Sequence, residues 1–258
     1  VSPFRPAIAA VQAQVRMSTR SFEDLMPVLT MPLFALVFLA IFVHSGRSDL
    51  AGYAMVAPLL MTVAQMGFFV ASEVVTNDRD EQLLELLVAA PTPLFATLWP
   101  RILLLNALGL VGFVEIWAIT VGVFGISVEF HHPWVAAATL VLTVFSSAGT
   151  ALLMAALFCF GRSARTFQNS VTYPLYLIAG VLVPVQYLPS WLQPLSPLVF
   201  LYWAADLLRD SLRADEMVNL AWRLTALAGL GAFAGGIGAL ILGRMLDRLQ
   251  RDGALGLR

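Results

Sequence analysis

The sequence predicts an all-α integral membrane protein of six membrane-crossing helices with both termini in the cytoplasm. Three observations predict it. Hydrophobic residues make up 59% of the 258 positions and charged residues only 12%, where an ordinary soluble domain carries about 25% charged residues. The mean hydropathy is +0.83. Charge-free runs recur at lengths that suit a bilayer, since a helix needs about 20 residues to cross roughly 30 Å of hydrocarbon.

The runs give the elements in order. Met26–Val43 has 18 residues, Ala51–Ser72 has 22, Pro133–Gly161 has 29 and Leu224–Gly243 has 20, while Ile102–Val128 is apolar apart from Glu115. Thr166–Ala205 has 40, enough for two crossings. However, Pro184, Pro189, Pro194 and Pro197 cannot share one regular helix, because each lacks a backbone N–H and clashes with the preceding turn. The expectation is one crossing at Thr172–Pro184 with its upstream flank. A broken segment over about 184–205 then lies in, or dips back into, the outer interface, where irregular backbone must be covered by protein.

Arginine placement sets the orientation. With this span count, 11 of the 15 arginines fall on the side of both termini, which the positive-inside rule makes cytoplasmic. Trp99, Trp134, Trp191, Trp203 and Trp222 fall near span ends, as an aromatic belt requires; Trp117 is interior to the third span. Residues 1–25 form a separate arm and 26–258 a single transmembrane domain. In the arm, Ile8, Val11, Val15 and Phe22 follow helical spacing opposite Gln12, Arg16, Arg20 and Glu23. This pattern suits an amphipathic interfacial helix leading into the first span at Pro27, or a plain juxtamembrane anchor.

Composition also excludes functions. Every basic residue is Arg, so no phosphate-cradling loop ending in Gly-Lys-Ser/Thr exists in the chain, nor any lysine Schiff base. The net charge of −1 offers no basic field for nucleic acid. The single cysteine, Cys159, has no intrachain partner, and the first 25 residues lack the pattern of a cleaved signal peptide. His44, His131 and His132 lack the spacing of a metal site. No catalytic constellation, metal or cofactor is expected.

The segment between the second and third spans is the most informative. Leu83, Leu84, Leu87 and Val88 make an apolar helix face and Glu81 and Glu85 a polar one, with Asn77 or Asp78 as cap and Pro91 as stop. Asp78, Arg79, Asp80, Glu81 and Glu85 together carry a charge of −3, ill suited to an anionic lipid surface and well suited to a basic protein groove. The alternative is a solvated connecting loop.

At these residues the chain resembles the ABC-2 type transporter permeases. Their acidic-basic-acidic start is matched by Asp78-Arg79-Asp80-Glu81, and the remainder by Leu84-Glu85-Leu86-Leu87 and Pro91; Gln82-Leu83 departs from the usual Gly-Thr. A second stretch, Gly180, Pro184, Leu188-Pro189, Trp191-Leu192, Pro194 and Pro197, resembles the family's proline-rich motif, and Ala205 to Arg209 its ending. The resemblance implies a coupling helix at about 78–90 that seats in a separate ATPase subunit, which holds the ATP and Mg. It implies re-entrant external helices with a gate at Gly180, Pro184, Pro189, Trp191, Pro194 and Pro197. It further implies a second permease chain, a bacterial inner membrane, and export of a hydrophobic substrate, the compact length resembling the drug and antibiotic efflux branch. Polysaccharide or lipid-linked export competes with that.

Glu115 is the one acid deep in a span, and such residues face protein or water. It is a candidate for the translocation path, for a proton site in a secondary transporter, or for a hydrogen-bonded packing residue near Trp117. Glu73 is expected at the interface. Gly231, Gly235, Ala239 and Gly243, and Ser147, Ala151 and Ala155, form small-residue faces that pack within one chain or across a dimer.

Overall fold

A computed structural model describes residues 4–19, 22–46, 51–80, 94–158 and 164–252, and among these the secondary structure is entirely helical. The elements are α1 (Phe4–Ser18), α2 (Phe22–Thr30), α3 (Leu33–His44), α4 (Ala51–Gln65), a π turn (Met66–Val70), a 3-10 turn (Ala71–Glu73) and α5 (Val74–Asp80). Then come α6 (Leu94–Leu108), α7 (Val111–Gly122), α8 (Pro133–Phe158), α9 (Ala164–Ile178), 3-10 turns at Val185–Tyr187 and Gln193–Leu198, α10 (Phe200–Ser211) and α11 (Leu220–Asp252).

Among the described residues, five helical stretches are long and apolar enough to cross a membrane: Leu25–His44, Ala54–Arg79, Phe95–Gly122, Pro133–Phe158 and Leu220–Met245. The second is almost enclosed, with 89% of its apolar window buried, whereas the first and last are 22% and 28% buried and turn most of their apolar surface outward. Burial ranks them from centre to periphery, because lipid and not water meets the outer faces.

The structure moves several sequence-derived boundaries. The third span was expected at Ile102–Val128, but its helix starts before Arg101 and stops near Gly122. Arg101 ended the charge-free run, yet it is neutralised inside the protein, so the helix passes through it. Gly125, with φ of +64°, lies beyond the other end. The first span, expected at Met26–Val43, occupies Leu25–His44; Pro27 lies inside α2, and the helix is interrupted between Thr30 and Leu33, at Pro32. At the place of the expected fifth span lies α9, which has 15 residues, about 22 Å at 1.5 Å per residue. It is not among the five long stretches.

α8 and α11 form the closest helix pair because glycine removes the side chains between them. A Cβ on Gly149 would collide with the Gly231 carbonyl, and a Cβ on Gly238 would lie 2.6 Å from the Leu153 nitrogen. The Ser146 hydroxyl donates to the Leu227 carbonyl at 2.8 Å. The small-residue stripe therefore packs within one chain, in the register Gly231, Gly235, Gly238, while Gly243 faces open space.

Candidate coupling and permeation site

α5 ends at Asp80, immediately before the segment that carries Glu81, Glu85 and Pro91. Those three residues lie outside the described part of the chain. Asn77 and Asp78 sit inside α5, so neither caps a new helix. Arg79 is exposed, but Asp78 is fully buried. The Arg101 guanidinium donates to both Asp78 oxygens, Nη1 to Oδ2 at 2.6 Å and Nη2 to Oδ1 at 2.8 Å. Its Nε donates to Gln14 Oε1 at 2.8 Å. Gln14 in turn donates to the Ser18 hydroxyl at 3.2 Å. One guanidinium thus fastens the N-terminal helix α1 and the α5 lead-in to the middle of α6. Planar, bidentate pairing is what Arg does and Lys cannot.

This arrangement also fixes which side of α1 meets protein. Gln14 and Ser18 are buried, while Ile8 and Val15 are 56% and 45% exposed. Sequence periodicity identified the apolar side of α1 but missed Gln14 and Arg101. A usable signal was present: an arginine directly abutting an apolar run requires a partner acid.

Above the ion pair, the π and 3-10 turns interrupt the central helix. The Gln168 amide of α9 enters here, with Nε2 donating to the Phe68 carbonyl at 2.6 Å and lying 3.0 Å from Ser72 Oγ. A side chain inserted into the helix ladder is a recognised cause of such irregularity. Beside it lies a cavity of about 450 Å³ lined by Thr30, Gln65, Phe69, Glu73, Asn77 and Asn169 among others. Its volume falls within the roughly 300–1,000 Å³ of small-molecule sites. Polar amides and one carboxylate, set among methionines and Phe69, suit an amphipathic ligand. Glu73, expected to be only interfacial, is the acid that lines this cavity.

Glu115 lines neither this cavity nor the apolar one between α4 and α8. It is half-buried on α7, next to Val114 and two residues from Trp117, which are 62% and 47% exposed.

At the opposite end of the bundle, Gly180 terminates α9. Its φ is +71°, its N–H bonds the Leu177 carbonyl, and the Val181 N–H reaches back to Tyr176 at 3.0 Å. This is a Schellman stop, and it demands glycine. Pro184 precedes the first 3-10 turn, and Pro189 accepts from Leu192 at 2.9 Å. Pro194 and Pro197 lie within the second turn, and Trp191 is 71% exposed. α10 braces the segment, since Arg209 Nη2 donates to the Val181 carbonyl at 2.8 Å and Trp203 Nε1 lies 2.9 Å from Pro197 O. Arg223 of α11 pairs with Asp206 at 2.6 Å and Asp210 at 2.8 Å. Burial raises the Asp206 carboxyl above its usual range, against the lowering pull of Arg223.

Among the described residues, no group of His, Cys, Asp and Glu is arranged to hold a metal ion. No curated protein matches the chain. Residues 7–212 match the family model described as ABC-2 type transporter. That match takes in most of α1, the Asp78–Arg101 pair, the polar cavity and the proline-rich segment. The chain is a multi-pass membrane protein and belongs to the ABC-2 type transporter family.

Proposed function

We propose that this chain is the permease half of an ATP-driven exporter in a bacterial cytoplasmic membrane, energised by a separate ATPase subunit and paired with a second permease chain. The observation that carries the coupling role is the buried Gln14–Arg101–Asp78 network. It makes α1, α5 and α6 one mechanical unit at the root of the acidic segment. A push delivered to Arg79, Asp80, Glu81, Glu85 and the Pro91 stop then reaches the central helix through α5 and the buried Asp78.

In this proposal both termini are cytoplasmic, α9 with its continuation makes the fifth crossing and α11 the sixth. The segment at Gly180, Pro184, Pro189, Trp191, Pro194 and Pro197 is the external gate. The cavity around Glu73 admits the substrate from the cytoplasmic half. Its single carboxylate and apolar wall favour a lipophilic cation of the drug or antibiotic type. Glu115 belongs to the path where α7 meets the second chain.

The test is ATP hydrolysis by the chain reconstituted with an ABC ATPase subunit, with and without tetraphenylphosphonium. Stimulation by the cation, lost in Glu81→Lys with Glu85→Lys, is expected. Failure of the two subunits to co-purify, together with intact export in that double variant, overturns the coupling role.

A further inference from the structure

A second cavity, of about 210 Å³, lies at the end of the bundle remote from Asp78 and Arg101. Met55, Val56 and Leu59 of α4, Phe113 of α7, Leu140 of α8 and Leu208 of α10 form much of its wall, and every lining side chain is apolar. Phe113 and Phe130 meet across one side with ring centroids 6.2 Å apart. Of its lining, Pro133 and Ala137 at the start of α8 are exposed, so the mouth opens sideways. The loop ahead of α8 is fastened to the end of α10. The His131 Nδ1 position lies 3.1 Å from the Leu212 carbonyl, and the Ser211 carbonyl accepts from the His132 N–H at 3.1 Å.

Depth follows from α8. Trp134 is 86% exposed at its first turn, where an interfacial aromatic belt belongs. Ala137 and Leu140 lie further along the helix, about 4 and 9 Å below Trp134 at 1.5 Å per residue. The mouth is therefore at the level where lipid chains begin.

We propose that this cavity binds a segment of hydrocarbon chain from a membrane phospholipid. Its lining offers water no hydrogen-bond partner, as in the roughly 150 Å³ apolar cavity that stays dry and takes up benzene, and its volume is ample for hydrocarbon. It is smaller than the roughly 300 Å³ at which drug-sized pockets begin, and it lacks the polar groups that orient such ligands. An alkyl chain needs none. Seated there, the chain touches both the central helix α4 and α10, which braces the proline-rich segment, and so sets their spacing.

The test uses the protein complex in vesicles of phosphatidylethanolamine and phosphatidylglycerol doped with a phosphatidylcholine carrying a diazirine midway along one acyl chain. After irradiation, adducts are mapped by peptide mass spectrometry. Adducts within Met55–Leu59 and at Phe113 are expected to exceed those at Val37 and Ile41, on the outward face of α3, by about tenfold. Ala137→Phe, which narrows the mouth, and Leu140→Phe, which fills the wall, are each expected to suppress them. Labelling equal to that on α3, or unaltered by both variants, overturns the proposal. So does displacement by tetraphenylphosphonium, which would assign the cavity to a transported molecule. Neither ATP nor transport enters the measurement, so its outcome is separable from that of the permease reading.

Discussion

Asp78 and Arg101 hold each other through two hydrogen bonds, 2.6 and 2.8 Å long, with only 0% and 5% of their surfaces exposed. Breaking such a pair strands one buried charge, which costs about 3–5 kcal/mol, whereas replacing both partners by apolar residues is often neutral. Asp78→Ala and Arg101→Ala should each lower the melting temperature of the purified chain sharply. Asp78→Leu with Arg101→Met should recover most of the loss. Equal destabilisation by the single and double changes would show that the pair is not what holds α5 to α6.

The α8–α11 contact distinguishes glycines that look alike in sequence. A Cβ on Gly231 would sit 2.6 Å from Ser146 Oγ, whereas one on Gly236 or Gly243 meets nothing within 4 Å. Overpacking of this kind costs about 1–3 kcal/mol. Gly231→Ala and Gly149→Ala should therefore destabilise, while Gly236→Ala and Gly243→Ala should hold or slightly raise stability by stiffening the helix. Thermal melts of the four variants in detergent decide it.

What the sequence made legible follows from the physics of each signal. Hydrocarbon must be met by uninterrupted apolar helix, so the long stretches and the break after α9 could be read directly. Boundaries failed where a charge was neutralised by a distant partner. Arg101 looked like a loop residue until Asp78, 23 positions away, was placed against it. Small-residue periodicity marked α11, but only the partner helix selected Gly238 over Gly243. Gln168 carried no signal at all, because one Gln beside Asn169 and Ser170 in a polar helix start says nothing of the π turn it meets after α4.

That Gln168 contact supports a third prediction. Gln168→Leu removes one of the two side-chain donors to the buried Phe68 carbonyl and leaves the Ser72 hydroxyl, a loss of about 0.5–1.5 kcal/mol. Gln168→Glu, which keeps the shape but exchanges the donor for an acceptor, should be at least as damaging. The measurement is chemical denaturation followed by tryptophan fluorescence. A neutral Gln168→Glu would mean that the π turn is set by the backbone alone.

Gly180 supports a fourth. Its φ of +71° is left-handed, a conformation that costs other residues roughly 1–2 kcal/mol, and a Cβ there would lie 2.6 Å from Val185 Cγ2. Gly180→Ala should destabilise by that amount or more. Gly125 also has positive φ, +64°, but open space around it, so Gly125→Ala should show the backbone cost without the collision. The difference between the two melting shifts isolates the contact with Val185.

The acids Glu73 and Glu115 separate two ideas about the permeation route. Glu73 lines a cavity of drug-like volume together with Gln65, Asn77 and Asn169; Glu115 stands half-buried on the outward side of α7. A hydrogen-bonded or ionic contact to a charged group contributes about 1.5–3 kcal/mol, roughly ten- to hundredfold in affinity. If the cavity admits lipophilic cations, Glu73→Gln should raise the KM for tetraphenylphosphonium efflux about tenfold, and leave efflux of a neutral apolar dye unchanged. Glu115→Gln should spare assembly and lower cation export through the turnover rate, because it would act where α7 meets the second chain, after capture. Efflux assays in inside-out vesicles read both parameters. A KM effect from Glu115→Gln, with none from Glu73→Gln, would move the entrance to the α7 face and empty the Glu73 cavity of its proposed role.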